Sequence, residues 1–261
     1  MQTRSKIILT AAALISLMAL TSLNAATVSW TNAGGAGDGN WATNTNWDSG
    51  TVPTDDDQVG IGIGFTVNYN VTTNSGDLQP TVLGLNGTLN AIEPFRANSR
   101  SINVGSTGTL GGGSYYLGGG TFSFIAGAAA TMENWIQGGT NVFNFQLNAA
   151  GFTTLTPEEF SIADFSSIAN ATYNVDMATY TGSADTTIVL AHFGSDSAGI
   201  NNTSFQTAGI NVTNTVGYSG SYLQWNDTDD AIELVVVPEP VTYTLIGGFF
   251  AFGVVMLHRR R

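Results

Sequence analysis

From Phe65 to Val237 apolar and polar residues alternate in short runs, and each run breaks on glycine, asparagine, serine or threonine. Phe65, Val67, Tyr69 and Val71 form one such run; Phe143, Phe145 and Leu147 form another, and Tyr173, Val175 and Met177 a third. A period of two turns alternate side chains to one face of a strand, so each run buries one side only. Runs this short cannot form a core alone and must stack on one another. Residues 59–63, 82–85, 88–92, 101–104, 121–125, 187–192, 209–212, 222–225 and 231–237 read as further strands. Helical periodicity is nearly absent, and the expected class is all-β.

Between residues 81 and 151 the punctuation is densest, as in "NVGSTGTLGGGSYYLGGGTFSFIAG". Brief strands with glycine and asparagine at the corners suit a Gly/Asn-rich β-solenoid, and a right-handed parallel β-helix is the first expectation. A β-sandwich of the jelly-roll kind also has many short strands and is the alternative. From residue 172 the strands lengthen, which predicts a more sheet-like C-terminal part. One stretch departs from the pattern. Thr156-Pro157-Glu158-Glu159 has the chemistry of a helix start, a capping Thr, then Pro and Glu, and predicts a short helix or turn over residues 157–167.

Charge is segregated along the chain. Of seven basic residues, Arg4 and Lys6 stand at one end and Arg259, Arg260 and Arg261 at the other, leaving Arg96 and Arg100 between them. All nineteen acids lie from Asp38 to Glu239, so two cations face nineteen anions and the middle carries −17. Such a surface repels phosphate backbones, which excludes a nucleic-acid partner.

The basic ends belong to two membrane-directed segments. Arg4 and Lys6 precede an apolar run over residues 7–20 and then a small-residue stretch through Ala25 and Ala26, the order of a secretory signal peptide. Cleavage after Ala25 or Ala26 is expected; the alternative is a buried core helix. At the other end, residues 241–257 carry no charge and as a helix would span about 26 Å, just short of a bilayer core of about 30 Å. His258 and the arginines that follow hold the C-terminus in the cytoplasm by the positive-inside rule. A pair of core strands is the alternative there, and it leaves the arginine run unexplained. The chain divides into a signal peptide (1–26), an exported domain (27–237) and a tail (238–261). There is no cysteine, so an exported domain must hold together by packing and hydrogen bonds.

Pro238-Glu239-Pro240 separates the exported domain from the span, and neither proline can donate to a sheet ladder. Pro-Glu-Pro, an apolar span and a terminal arginine cluster, in that order, resemble the PEP-CTERM sorting signal of bacterial envelope and exopolysaccharide-associated proteins. That resemblance covers about a tenth of the chain. It implies recognition by exosortase, a membrane protease with a catalytic cysteine, followed by release or transfer of the outer domain. His258 at the head of the arginine run is a small departure. A second resemblance lies in Trp30, Gly39-Asn40-Trp41, Asn46-Trp47, Pro53 and Asp57. It is to the Trp- and Asn-rich opening of autotransporter-like β-helical surface proteins, and it implies a segment that caps the solenoid.

The exported domain offers little catalytic chemistry. It has one histidine, His192, behind the apolar run Ile188-Val189-Leu190, and no lysine; a strand-end histidine is the simpler reading. No Gly-x-Ser-x-Gly elbow or His-rich metal spacing occurs. Asp55-Asp56-Asp57 and Asp227-Thr228-Asp229-Asp230 are acidic turns with oxygen ligands for calcium, though neither matches a known calcium loop, and solvated turns account for them. Trp41, Trp47 and Trp225 have the size to stack on sugars; core or cap packing is the plainer reading. No catalytic residue, established metal or other cofactor is expected. The leading expectation is a non-catalytic protein of the cell surface or extracellular matrix, first anchored in the membrane and then sorted by exosortase, with extracellular polysaccharide as a partner. A carbohydrate-binding surface module comes second and a carboxylate-based polysaccharide-degrading enzyme third.

Overall fold

The computed structural model describes residues 27–34, 39–54, 57–71, 80–97, 100–162, 169–183, 185–196 and 199–238. The molecule is all-β, 49% strand and 4% helix, and its body is a parallel β-solenoid of about four turns. One wall, here wall A, contains eight strands. In spatial order they are β1 (Thr27–Ser29), β2 (Gln58–Ile61), β4 (Val82–Leu85), β7 (Ser101–Val104), β9 (Thr121–Ile125), β11 (Val142–Gln146), β13 (Thr172–Asp176) and β16 (Gly209–Thr213). Every neighbouring pair is parallel. The interleaved strands build wall B, again parallel: β3 (Thr66–Tyr69), β5 (Thr88–Ala91), β8 (Thr109–Gly118), β10 (Ala129–Gly138), β12 (Glu159–Ile162) and β15 (Ser195–Asp196). The two-residue β6 (Phe95–Arg96) also pairs with β8. Parallel pairing through both walls excludes the jelly roll, whose neighbours run antiparallel.

Register turns the alternation into columns. Val59, Leu83, Ile102, Phe122, Phe143 and Tyr173 pair in sequence across wall A, and all are buried. Two residues on, Ile61, Leu85, Val104, Phe124, Phe145 and Val175 form a second buried column. The lower-numbered rungs use aliphatic residues and the later ones stacked aromatics. Phe122 and Phe143 lie 5.5 Å apart, Phe143 and Tyr173 5.1 Å, and Phe124 and Phe145 5.8 Å. Trp135 of wall B reaches Phe143 at 5.3 Å and Phe124 at 5.7 Å, joining the two walls across the core. Each large buried side chain of this kind contributes on the order of 2–3 kcal/mol of burial, which is how a chain without disulfides coheres.

Wall B bends within its strands. In β8 the buried side chains are Leu110 and then Tyr115 and Leu117, and in β10 they are Ala130 and Met132 and then Trp135. The inward parity therefore switches mid-strand in both. Gly112 sits at the switch with φ of +83°, and a Cβ there would land on the Ala91 carbonyl oxygen. Only glycine fits such a place. Tyr115 braces the bend from inside: its hydroxyl lies 3.0 Å from the Gly111 carbonyl oxygen and 3.1 Å from that of Leu89. Burial pushes the ionisation of that hydroxyl well above the ordinary tyrosine range. At the corner between β10 and β11, Asn141 is fully buried and uses its whole amide. Its Oδ1 accepts from Gly119 N (2.7 Å) and Gly120 N (3.1 Å), and its Nδ2 donates to Leu117 O (2.8 Å) and Gly138 O (2.9 Å).

Both ends of the core are covered. At the β1 end Trp30, Trp41 and Trp47 pack edge to face at 4.8–4.9 Å, and Trp41 lies 5.4 Å from Tyr69. Trp47 Nε1 donates to Trp41 O at 2.8 Å. At the other end a separate antiparallel sheet forms from β14 (Thr186–His192), β18 (Ala231–Val236) and β17 (Tyr222–Asn226), in that order. Its Trp225 stacks on Phe193 at 5.8 Å. Phe205, from the one-turn helix Asn202–Phe205, lies 4.9 Å from Tyr173 of the last complete rung.

Three expectations need correction. The helix or turn expected over 157–167 does not start as a helix: Glu159–Ile162 is a strand, and residues 163–167 lie outside the described residues. The backbone N–H groups of Thr156 and Glu158 already donate to Ala130 O and Met132 O, so the exposed ladder of β10 outcompetes the helix start. Sheet packing does not take over at residue 172: β13, β15 and β16 still extend the walls, and the antiparallel strands β14, β17 and β18 are interleaved with them from Thr186 on. The ten-residue β8 and β10 replace what reads as glycine-broken short runs. Among the described residues no helix is long and apolar enough to cross a membrane. The segments expected to do so, 1–26 and 241–257, lie outside them.

Candidate functional site

The outward positions of wall A stand in register as strictly as the inward ones. Gly84, Asn103, Ser123, Asn144, Asn174 and Asn211 follow one another across six strands. Their amides join in one direction: Asn211 Nδ2 donates to Asn174 Oδ1 (2.9 Å), Asn174 Nδ2 to Asn144 Oδ1 (2.8 Å), and Asn144 Nδ2 to Ser123 Oγ (3.1 Å). A second outward column, two residues along each strand, contains Asn86, Gly105, Ile125, Gln146, Asp176 and Thr213. Between the columns runs a groove of about 610 Å³, lined by residues from β4 through β16. Leu85, Val104, Phe124 and Phe145 lie between the two columns and send their side chains to the core, so the floor of the groove is paired backbone.

Most of the exposed area of this lining is apolar, and its polar side chains are chiefly amides and hydroxyls. They donate and accept hydrogen bonds but do not exchange protons near neutral pH. The one carboxylate in the lining, Asp176, accepts from Ala178 N (2.9 Å) and Asn214 Nδ2 (2.7 Å). Hydrolysis of a glycosidic bond takes two carboxylates at a fixed separation; among the described residues this lining contributes one. A smaller cavity of about 490 Å³ lies between Gly151–Thr154 and the start of β14, beside Tyr180. The Tyr180 hydroxyl is committed there to Ser183 O at 3.0 Å.

The residues singled out in the sequence fall elsewhere. Trp41, Trp47 and Trp225 are 0%, 2% and 2% exposed, so their ring faces are covered by protein and cannot stack on a sugar; they close the ends of the core. Asp57 accepts from Thr54 N (2.7 Å) and Thr54 Oγ1 (2.9 Å), which fixes a turn; Asp55 and Asp56 lie outside the described residues. Asp227 to Asp230 form the loop between β17 and β18. In that loop Asp227 accepts from Asn202 N at 3.0 Å and Asp229 from Asn226 Nδ2 at 2.9 Å. Asp230 takes a positive φ of 46°. Among the described residues no three His, Cys, Asp or Glu side chains stand together as a metal site. His192 is exposed at the end of β14, its backbone N–H on Leu155 O. Pro238 is the last described residue; Glu239, Pro240, Arg259, Arg260 and Arg261 lie outside.

Sequence reading missed the amide ladder, although a signal for it exists. Ile102-Asn103-Val104, Phe143-Asn144-Phe145, Tyr173-Asn174-Val175 and Ile210-Asn211-Val212 each set one Asn between two apolar residues. Two more, Val67-Asn68-Tyr69 and Leu89-Asn90-Ala91, mark a ladder on wall B, where Asn90 Nδ2 donates to Asn68 Oδ1 at 3.0 Å. No protein-family model, curated protein or solved structure matches this chain.

Proposed function

We propose that this chain is an exported, non-catalytic protein of the bacterial cell surface or extracellular matrix, delivered as a PEP-CTERM substrate. Residues 1–26 direct export and are removed. Residues 238–261 anchor the chain briefly with its C-terminus in the cytoplasm, until an exosortase-type membrane protease processes it. The outer domain, residues 27–237, then stays in the envelope or its polysaccharide. Its solenoid winds right-handed, as parallel crossovers do almost without exception.

The observation that carries this reading is where the last described strand ends. β18 ends at Val236, Val237 N donates to Ser221 Oγ at 3.1 Å, and Pro238 follows at once. Cutting after Pro238 thus leaves every described strand and both caps in the released domain. The amide-lined groove supports a holding role over a hydrolytic one. Mass spectrometry of the protein recovered from its bacterial host tests the proposal. Most molecules should lack residues 241–261, and deletion of Pro238 to Pro240 should leave the protein membrane-bound with its arginines attached. Wild-type molecules that nearly all retain residues 241–261 would refute it.

A further inference from the structure

We propose that the outer groove of wall A binds a neutral, extended polysaccharide laid across the rungs. The site repeats as a polymer does. Six successive strands present equivalent positions about 4.8 Å apart, a run of roughly 24 Å, and a ligand that exploits it must itself be long and periodic. Its polar groups are matched to hydroxyls. Asn103 and Gln146 each carry a donor and an acceptor, and Asn144 keeps one N–H and one lone pair beyond its ladder bonds, while Ile125, 42% exposed on the same wall, offers apolar surface to the C–H face of a sugar ring.

Charge selects the neutral class. The exported domain has two cations against eighteen acids, and Asp176 stands in the lining itself. A polyanion, whether nucleic acid or uronate polymer, is repelled before contact. A peptide adding as a strand needs unpaired backbone N–H and C=O groups at a sheet edge. On this face the backbone is paired on both sides from β4 to β13.

This inference deepens the matrix reading but stands on the groove alone. Absence of glycan binding would leave tail processing untouched, and an unprocessed tail would leave glycan binding untouched. The test is calorimetric titration of the full-length protein, held in a zwitterionic detergent, with cellohexaose, laminarihexaose and mannohexaose. A hexagalacturonate and an unstructured hexapeptide serve as comparison ligands. At least one neutral hexamer should bind with a dissociation constant below about 1 mM, and its trimer at least tenfold more weakly. The double variant Ile125→Ala, Gln146→Ala should lose tenfold or more with an unchanged melting temperature. Gly84→Gln gives a second reading should that variant fold poorly. A Cβ at Gly84 meets only Val59 O, at 3.7 Å, so the added side chain narrows the groove without disturbing the core, and tenfold weaker binding is again expected. Failure of all three neutral hexamers to bind, tighter binding of the hexagalacturonate or the peptide, or full affinity in folded variants would overturn the proposal.

Discussion

Walls A and B are made by the same turns of chain, yet they keep their shape by different means. Wall A is laid from strands of three to five residues that alternate strictly, core columns inside and an amide ladder outside. Its information lies in side chains. Wall B contains the two ten-residue strands, and it turns through them at a position where backbone conformation decides the path. Side-chain alternation is therefore enough to specify a flat wall, while the switch in β8 uses Gly112, without a Cβ, braced by the Tyr115 hydroxyl, and β10 makes the same switch without a glycine, in register with β8.

The largest effect is expected where the two walls meet. Asn141→Ala takes its partner from the Gly120 N–H and the Leu117 carbonyl, while Gly119 N–H and Gly138 O keep each other at 3.1 Å, at roughly 1–3 kcal/mol for each unsatisfied group that water does not reach. A loss of about 3–5 kcal/mol in urea unfolding is expected; a loss below about 1 kcal/mol would show that the corner holds without its amide. Next comes a matched pair of glycines. Gly112→Ala in wall B forces a Cβ onto the Ala91 carbonyl at positive φ and should cost about 2–3 kcal/mol. Gly84→Ala in wall A meets ordinary contact only and should stay within about 0.5 kcal/mol. Equal losses from the two would erase the distinction between the walls. The smallest effect belongs to the ladder. Asn174→Ala removes one bond to Asn144 and one from Asn211 on a half-buried surface, and about 1 kcal/mol is expected, read from the shift in urea midpoint.

The same contrast explains which parts of the fold were legible in the sequence. Residues 82–85, 101–104 and 121–125 of wall A match β4, β7 and β9 residue for residue, because period two is the whole rule there. Thr109–Gly118 was opaque: its inward parity changes at the bend, so alternation over ten residues averages away, and Gly111-Gly112-Gly113 reads as a break. Glu159–Ile162 misled for a different reason. Thr156-Pro157-Glu158-Glu159 carries a real local preference for helix, and the unfilled edge of β10 overrides it, a partner invisible to any local window. The groove was hidden likewise. Each Asn between apolar neighbours is unremarkable alone, and only the register brings Asn103, Asn144 and Asn174, from separate rungs, into line.

The parallel, in-register stacking of wall A is the feature on which core, ladder and groove all depend, and the absence of native cysteine allows it to be tested by pairwise bridging. Asn103 and Ser123 are register partners on adjacent strands, whereas Asn103 and Asn144 are two strands apart. Neighbouring strands put their Cα atoms about 4.8 Å apart, within the span of a disulfide, and next-nearest strands about 9.6 Å apart, beyond it. Under mild oxidation, the Asn103→Cys, Ser123→Cys variant should close an intramolecular disulfide in most molecules, seen by thiol counting and mass spectrometry. The Asn103→Cys, Asn144→Cys variant should keep two free thiols. No bridge in the first variant, or equal bridging in both, would contradict the stacked parallel wall.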